Sequence, residues 1–261
     1  MTITDSVQVE VTWIETTWGR IRVQSAGSGP ALLYLHPAAG SSWRPFLDLL
    51  AQDYRVHVPE HPGFGETELY DGLDDPHDLA FLYLELLDAL DLESVILVGS
   101  SFGGWIAAEL ASIAHRRFPK LVLIDAVGLR IPENPVADTF AMNQAETAAA
   151  LFHDQEFAAR LFAGEPTVEQ IVQMTSDKAA LAHYSWKPFF NNPKLEARLH
   201  RIGTPTLVLW GQYDGVVALV HGERYAAAIP NARLEVIADA AHSPLLEKPA
   251  ETIALVTQFL R

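Results

Sequence analysis

The chain has 261 residues, 49% of them hydrophobic, enough to bury a large core as one domain or as a domain carrying an insertion. With 18 Lys and Arg against 33 Asp and Glu, the formal charge of -15 disfavours nucleic acid or an anionic membrane surface as partner. The lack of cysteine excludes disulfides, thiolate catalysis and Cys-ligated zinc together. Residues 1–10 are polar, carry Asp5 and Glu10, and show no basic start followed by an apolar run; no stretch reaches the length of a membrane span. The expectation is a soluble, cytoplasmic protein.

In chain order, residues 7–13 and 20–24 alternate apolar with polar on either side of Gly19, which predicts an antiparallel hairpin with one solvated face. Residues 31–35 form a continuous apolar run, the pattern of a buried parallel strand. They lead into His36-Pro37-Ala38-Ala39-Gly40 and a helix expected from Ser41 or Ser42. Residues 55–58 give the next strand, ended by a turn-rich loop at 60–66; His57 and His61 read as structural. Apolar side chains at Leu79, Phe81, Leu82, Leu84, Leu86, Leu87 and Leu90 predict a helix over 76–92 with a wide buried face.

The strand at 95–98 then runs into a helix predicted over 101–117, and residues 120–125 give another buried strand. After Gly128 the rhythm stops. From Ile131 to about Arg201 helical segments rich in Ala, Phe and Leu are punctuated by six Pro or Gly residues, which predicts an inserted helical cap over 129–201. A strand at 206–210, a helix at 219–229, a strand at 233–237 and a closing helix at 245–260 complete the core, residues 1–128 and 202–261. Strands alternating with helices predict a mostly parallel, eight-stranded α/β sheet.

Between strand and helix stands Gly99-Ser100-Ser101-Phe102-Gly103, a G-x-S-x-G pattern. Its glycines permit a sharp turn that projects Ser101 outward at a helix N-terminus, where unpaired N–H groups favour negative charge. Ser100, at the variable position, reads as a packing residue. A serine hydroxyl needs a base, and the base an orienting acid. In an open parallel sheet such groups gather beyond the carboxyl ends of the strands. Asp214 follows the strand at 206–210, and His242 follows the last strand, after both serine and acid in the chain. Asp125, at the end of the strand at 120–125, is the alternative acid. Of the ten histidines, His36 and His61 lie in turns beside Pro. His77, His115, His153, His183, His200 and His221 fall in helical patterns, where exposure or capping accounts for them.

The serine turn, the helical insertion and the order Ser, Asp, His together resemble an α/β-hydrolase-fold enzyme with a cap, over essentially the whole chain. The resemblance implies Ser101 as nucleophile, Asp214 as orienting acid, His242 as general base, and an oxyanion hole of the Phe102 N–H and one N–H after His36. Relatives usually carry His-Gly there; here Pro37 has no N–H, which moves the second donor to Ala38, with Ala39 behind it. Ser101 at the elbow excludes the dehalogenases and epoxide hydrolases of this fold, which place aspartate there. The C–C bond hydrolases of ring-fission products resemble it closely in the cap. They carry Trp after the catalytic histidine and a cap arginine, where this chain has Ser243 and Trp186-Lys187-Pro188.

The implied chemistry is acyl transfer without cofactor or metal. The expected substrate is a small ester or lactone of moderate hydrophobicity, with Trp186, Tyr184 and Phe140 among the candidate binding residues. C–C cleavage of a vinylogous diketone and a non-catalytic binder on the same scaffold are the alternatives.

Overall fold

The computed structural model describes residues 7–261; Met1 to Ser6, part of the polar N-terminal stretch, lie outside the described residues. Eight strands form one sheet: β1 (Glu10–Glu15), β2 (Arg20–Ala26), β3 (Ala31–Leu35), β4 (Arg55–Pro59), β5 (Ile96–Ser100), β6 (Leu121–Ile124), β7 (Thr206–Gly211) and β8 (Ala232–Ile237). Their order is β1-β2-β4-β3-β5-β6-β7-β8. The β1–β2 and β2–β4 pairs are antiparallel, and every later pair is parallel.

The period of two along each strand sorts the core into two layers. Leu33, Leu35, Leu97, Leu121, Leu123 and Val208 face α2 (Pro76–Ala89), α3 (Phe102–Ala114) and α7 (Val220–Ala228). Leu32, Tyr34, Ile96, Val98, Val122, Ile124 and Leu209 face α1 (Pro45–Leu50), α8 (Pro244–Glu247) and α9 (Pro249–Leu260). Between β6 and β7 the chain leaves the sheet for α4 (Gln144–Leu151), α5 (Gln155–Leu161) and α6 (Val168–Ser185). Each of these starts at a side-chain cap, Asn143, Asp154 and Thr167 respectively.

Four sequence expectations shift. The first strand begins three residues late, at Glu10, and extends to Glu15. The helix expected from Ser41 starts at Pro45, because Ser41 is drawn inward: its hydroxyl donates to the buried Glu60 carboxylate at 2.8 Å. The helix over 101–117 finishes as a 3-10 turn at His115–Arg117. The closing helix is two, broken at Lys248 ahead of Pro249, since the residue before proline avoids the helical region.

Glu109, in the middle of α3, has no exposed surface. Its carboxylate accepts from Asn192 Nδ2 at 2.7 Å and Trp105 Nε1 at 3.2 Å, and meets His77 Nδ1 at 3.0 Å and Arg198 Nη1 at 3.4 Å. It thereby ties α2, α3 and the segment leaving α6 together. A buried carboxylate with several donors strands them all when removed. We expect Glu109→Ala to lower unfolding stability by about 2–3 kcal/mol, read as a lower urea midpoint; an unchanged midpoint would contradict this role.

Candidate active site

The order in which successive strands are added reverses between β3 and β5, and the crevice beyond the strands' carboxyl ends lies there. At the end of β5 the backbone turns at Ser101, with φ 52° and ψ -113°, into α3. That left-handed φ costs a non-glycine residue about 1–3 kcal/mol and persists only where its surroundings impose it. Crowding imposes it here. A Cβ on Gly99 would stand 2.3 Å from Gly103 O, and one on Gly103 would stand 2.1 Å from Leu35 O. Only glycine at both positions lets the first turn of α3 close against β3 and β5. The Ser101 N–H donates to Ile124 O at 2.8 Å, which anchors the turn to β6.

Ser101 Oγ lies 2.8 Å from His242 Nε2, and His242 Nδ1 lies 2.7 Å from Asp214 Oδ2. The other oxygen, Asp214 Oδ1, accepts the N–H groups of Val216 and Val217, both at 2.8 Å. An ionised Asp214 is acceptor only, so Nδ1 carries the proton and Nε2 is left to accept from the serine hydroxyl. Ser101 and His242 are both buried. Asp125, the alternative acid, lies close by without a hydrogen bond to His242; its Oδ1 accepts the Gly211 N–H at 2.8 Å. The loop that carries His242 is fixed by Glu247, whose Oε2 accepts the Ala241 N–H at 2.7 Å. Its Oε1 accepts from His153 N and Asp154 N at the start of α5, so one carboxylate holds both the histidine loop and the helical insertion.

Phe102 is the first residue of α3, where an N–H has no intrahelical acceptor. The turn after β3 closes through Gly40 N–H to Pro37 O at 3.1 Å, which leaves the Ala38 N–H outside the turn's own bond. The Pro37 carbonyl also accepts from His36 Nδ1 at 2.7 Å, so the peptide plane carrying the Ala38 N–H is held from its other side.

That His36 contact belongs to a pairing that reading each turn singly missed. The His36 and His61 rings stack at 3.7 Å. The His61 N–H donates to His36 Nε2 at 3.0 Å, and His61 Nε2 donates to His36 O at 2.9 Å. The Tyr83 hydroxyl closes the set on His61 Nδ1. The signal was available: His36 follows β3, His61 follows β4, and these strands are parallel neighbours whose ends must meet. Burial pushes the His36 imidazole down to about 4, and pushes His61 well below the usual range, with the neighbouring His36 adding to the effect. Burial also lowers His57, beside Ser25 Oγ at 2.9 Å, to about 4.

The remaining candidates divide. Tyr184 is buried, its ring tilted against Phe102, with its hydroxyl donating to Pro62 O at 3.1 Å. Phe140 stacks on Phe190 at 5.7 Å and meets the edge of Trp186 at 5.7 Å, while Trp186 is 58% exposed. Ser100 is buried beside Tyr34. His221, expected at an exposed or capping position, is instead fully buried against Asn134 O.

A protein-family model described as alpha/beta hydrolase fold matches residues 30–249. The 2-hydroxy-6-oxo-6-phenylhexa-2,4-dienoate hydrolase of Comamonas testosteroni is 30% identical, over 92% of this chain and 91% of that protein. The pimeloyl-(acyl-carrier protein) methyl ester esterase of Photobacterium profundum is 25% identical, over 91% of this chain and 97% of that one. In fold, a thermophilic esterase from Thermogutta terrifontis superposes with a TM-score of 0.77 at 24% identity, over 97% of this chain and 98% of that one.

The buried histidines set a pH dependence. As pH falls from about 6.5 towards 4, the unfolded chain takes up protons that folded His36, His57 and His61 refuse, so stability falls. Each contributes a slope of up to roughly 1.4 kcal/mol per pH unit in that window. The urea midpoint should be lower at pH 5 than at pH 7; an equal or higher value would contradict three neutral, buried imidazoles.

Proposed function

This chain belongs to the α/β-hydrolase fold family, and we propose that it is a serine hydrolase cleaving small carboxylic esters or lactones of moderate hydrophobicity. The observation that carries the reading is the hydrogen-bonded line from Ser101 Oγ through His242 to Asp214, with steps of 2.8 and 2.7 Å. His242 Nε2 takes the hydroxyl proton as Ser101 Oγ attacks the carbonyl carbon. The N–H groups of Phe102 and Ala38 receive the oxyanion. His242 returns its proton to the departing alcohol, then deprotonates a water that attacks the acyl-enzyme, and the acid leaves as Ser101 regains its proton.

Residues 129–201 act as the cap over this site, resting on the core through Glu247 and through the Gly215 N–H, which donates to Ala150 O at 3.1 Å. The aromatic group of Phe140, Trp186, Phe189 and Phe190 favours an apolar acyl or aryl portion. Tyr184 packs beside Phe102, next to the proposed oxyanion donor.

C–C bond cleavage is the second reading, and the 30% identity to a dienoate hydrolase favours it. Ser243 after His242, in place of the tryptophan that resemblance implies, weighs the other way.

The test is hydrolysis of p-nitrophenyl esters of increasing acyl length beside turnover of a vinylogous diketone, each with wild type and Ser101→Ala. We expect chain-length-dependent ester hydrolysis that falls by at least about 10³-fold in the variant. Diketone turnover without ester hydrolysis would select the second reading. No turnover of either by wild type would leave a capped binder.

A further inference from the structure

Asp125 is used by none of these steps, yet it is fully buried at the end of β6 with its backbone in the left-handed region, φ 46°. Its Oδ1 accepts the Gly211 N–H, but its Oδ2 is buried without any hydrogen-bond partner. A buried carboxylate oxygen left in that state is costly. Asp125, Asp214 and His242 each offer a polar atom within 4.8 Å of the others'.

The groups that bear on Asp125 are Asp214 on the loop after β7, His242 on the loop after β8, Glu247 on α8 and the Gly211 N–H of β7. Two of the three titratable neighbours are acids, so an ionised Asp125 would be buried against like charge. A carboxylic acid in the same place would turn the orphaned oxygen into a donor, with the Asp214 carboxylate as its acceptor.

We propose that Asp125 stands protonated at neutral pH and donates its carboxyl hydrogen to the Asp214 carboxylate, as a positioning residue for the Asp214–His242 pair. Burial, and after it the Asp214 charge, push the Asp125 carboxyl well above the usual carboxylate range, in keeping with this arrangement. Asp214 then receives donors from Val216, Val217, His242 and Asp125, which fixes its plane and draws charge away from Oδ2. The Asp214 carboxylate is then shared between His242 and Asp125, and loss of the Asp125 donor leaves it to His242 and the two backbone N–H groups. The consequence for function rests on the serine-hydrolase reading; the protonation state of Asp125 does not.

Asparagine mimics the neutral acid, since its amide oxygen can accept the Gly211 N–H while its NH₂ donates to Asp214. The test combines infrared spectroscopy at pH 7 with an NMR titration of the His242 ring in wild type, Asp125→Asn and Asp125→Ala. We expect a protonated-carboxyl C=O band in wild type that is absent from Asp125→Asn. The His242 midpoint should be unchanged in Asp125→Asn and raised by about 1 unit in Asp125→Ala. Absence of the band, or a midpoint lowered in Asp125→Asn by loss of a negative charge, would overturn the proposal, and either is readable even where Asp125→Ala fails to fold. Ser101→Ala should keep the band, so failure of the serine reading and failure of this one are told apart.

Discussion

The close approach of α3 to β3 and β5 is the contact on which the rest of this molecule depends. Gly99 and Gly103 leave no room for a side chain, and that contact holds Ser101 at its left-handed φ with the hydroxyl turned out of the sheet. The same approach brings the first N–H of α3 beside the turn after β3. Ser101, the N-terminus of α3 and the turn after β3 are thus one packing arrangement rather than three separately placed parts. The cost of the strained backbone is spread over the bonds from Ser101 N–H to β6 and from Trp105 N–H back to Ser101 O.

Around that turn, buried polar groups are arranged so that few carry charge. The His36–His61 stack is held neutral by burial and fully engaged in hydrogen bonds, with Tyr83 at one end and the Pro37 carbonyl at the other. Neutral rings in contact avoid the repulsion that two imidazoliums would suffer in a low-dielectric site. On the far side, Asp214 has donors for both oxygens. Glu247 extends the same logic outward, joining the His242 loop to the start of α5 with one carboxylate. The insertion and the loop that carries His242 are therefore joined through one side chain.

The parts legible in the sequence were those with a short-range cause. Continuous apolar runs marked the buried parallel strands, and the two glycines around Ser101 marked the turn. Asp214 and His242 could be singled out because each follows a strand on the side where catalytic groups gather. Positions governed by contacts distant in sequence were not legible. Ser41 looks like a helix start, yet Glu60 pulls its hydroxyl into the core. Glu109 sits in an apolar helix, where His77, Asn192 and Arg198, distant in sequence, meet its carboxylate. His36 and His61 each look like turn residues until the pairing of β3 with β4 brings them face to face. In the insertion, aromatic spacing alone could not separate Tyr184, which packs inward, from Trp186, which is exposed two residues later.

On the proposed serine-hydrolase reading, Ser101 is made nucleophilic by His242, itself oriented by Asp214. The most direct measurement is covalent labelling by a fluorophosphonate, followed by intact mass and peptide mapping, in wild type, Ser101→Ala and His242→Gln. A single adduct on Ser101 is expected in wild type, none in Ser101→Ala, and labelling slowed by at least about 10³-fold in His242→Gln. An adduct on another residue, or labelling of Ser101 at an undiminished rate without His242, would contradict that reading.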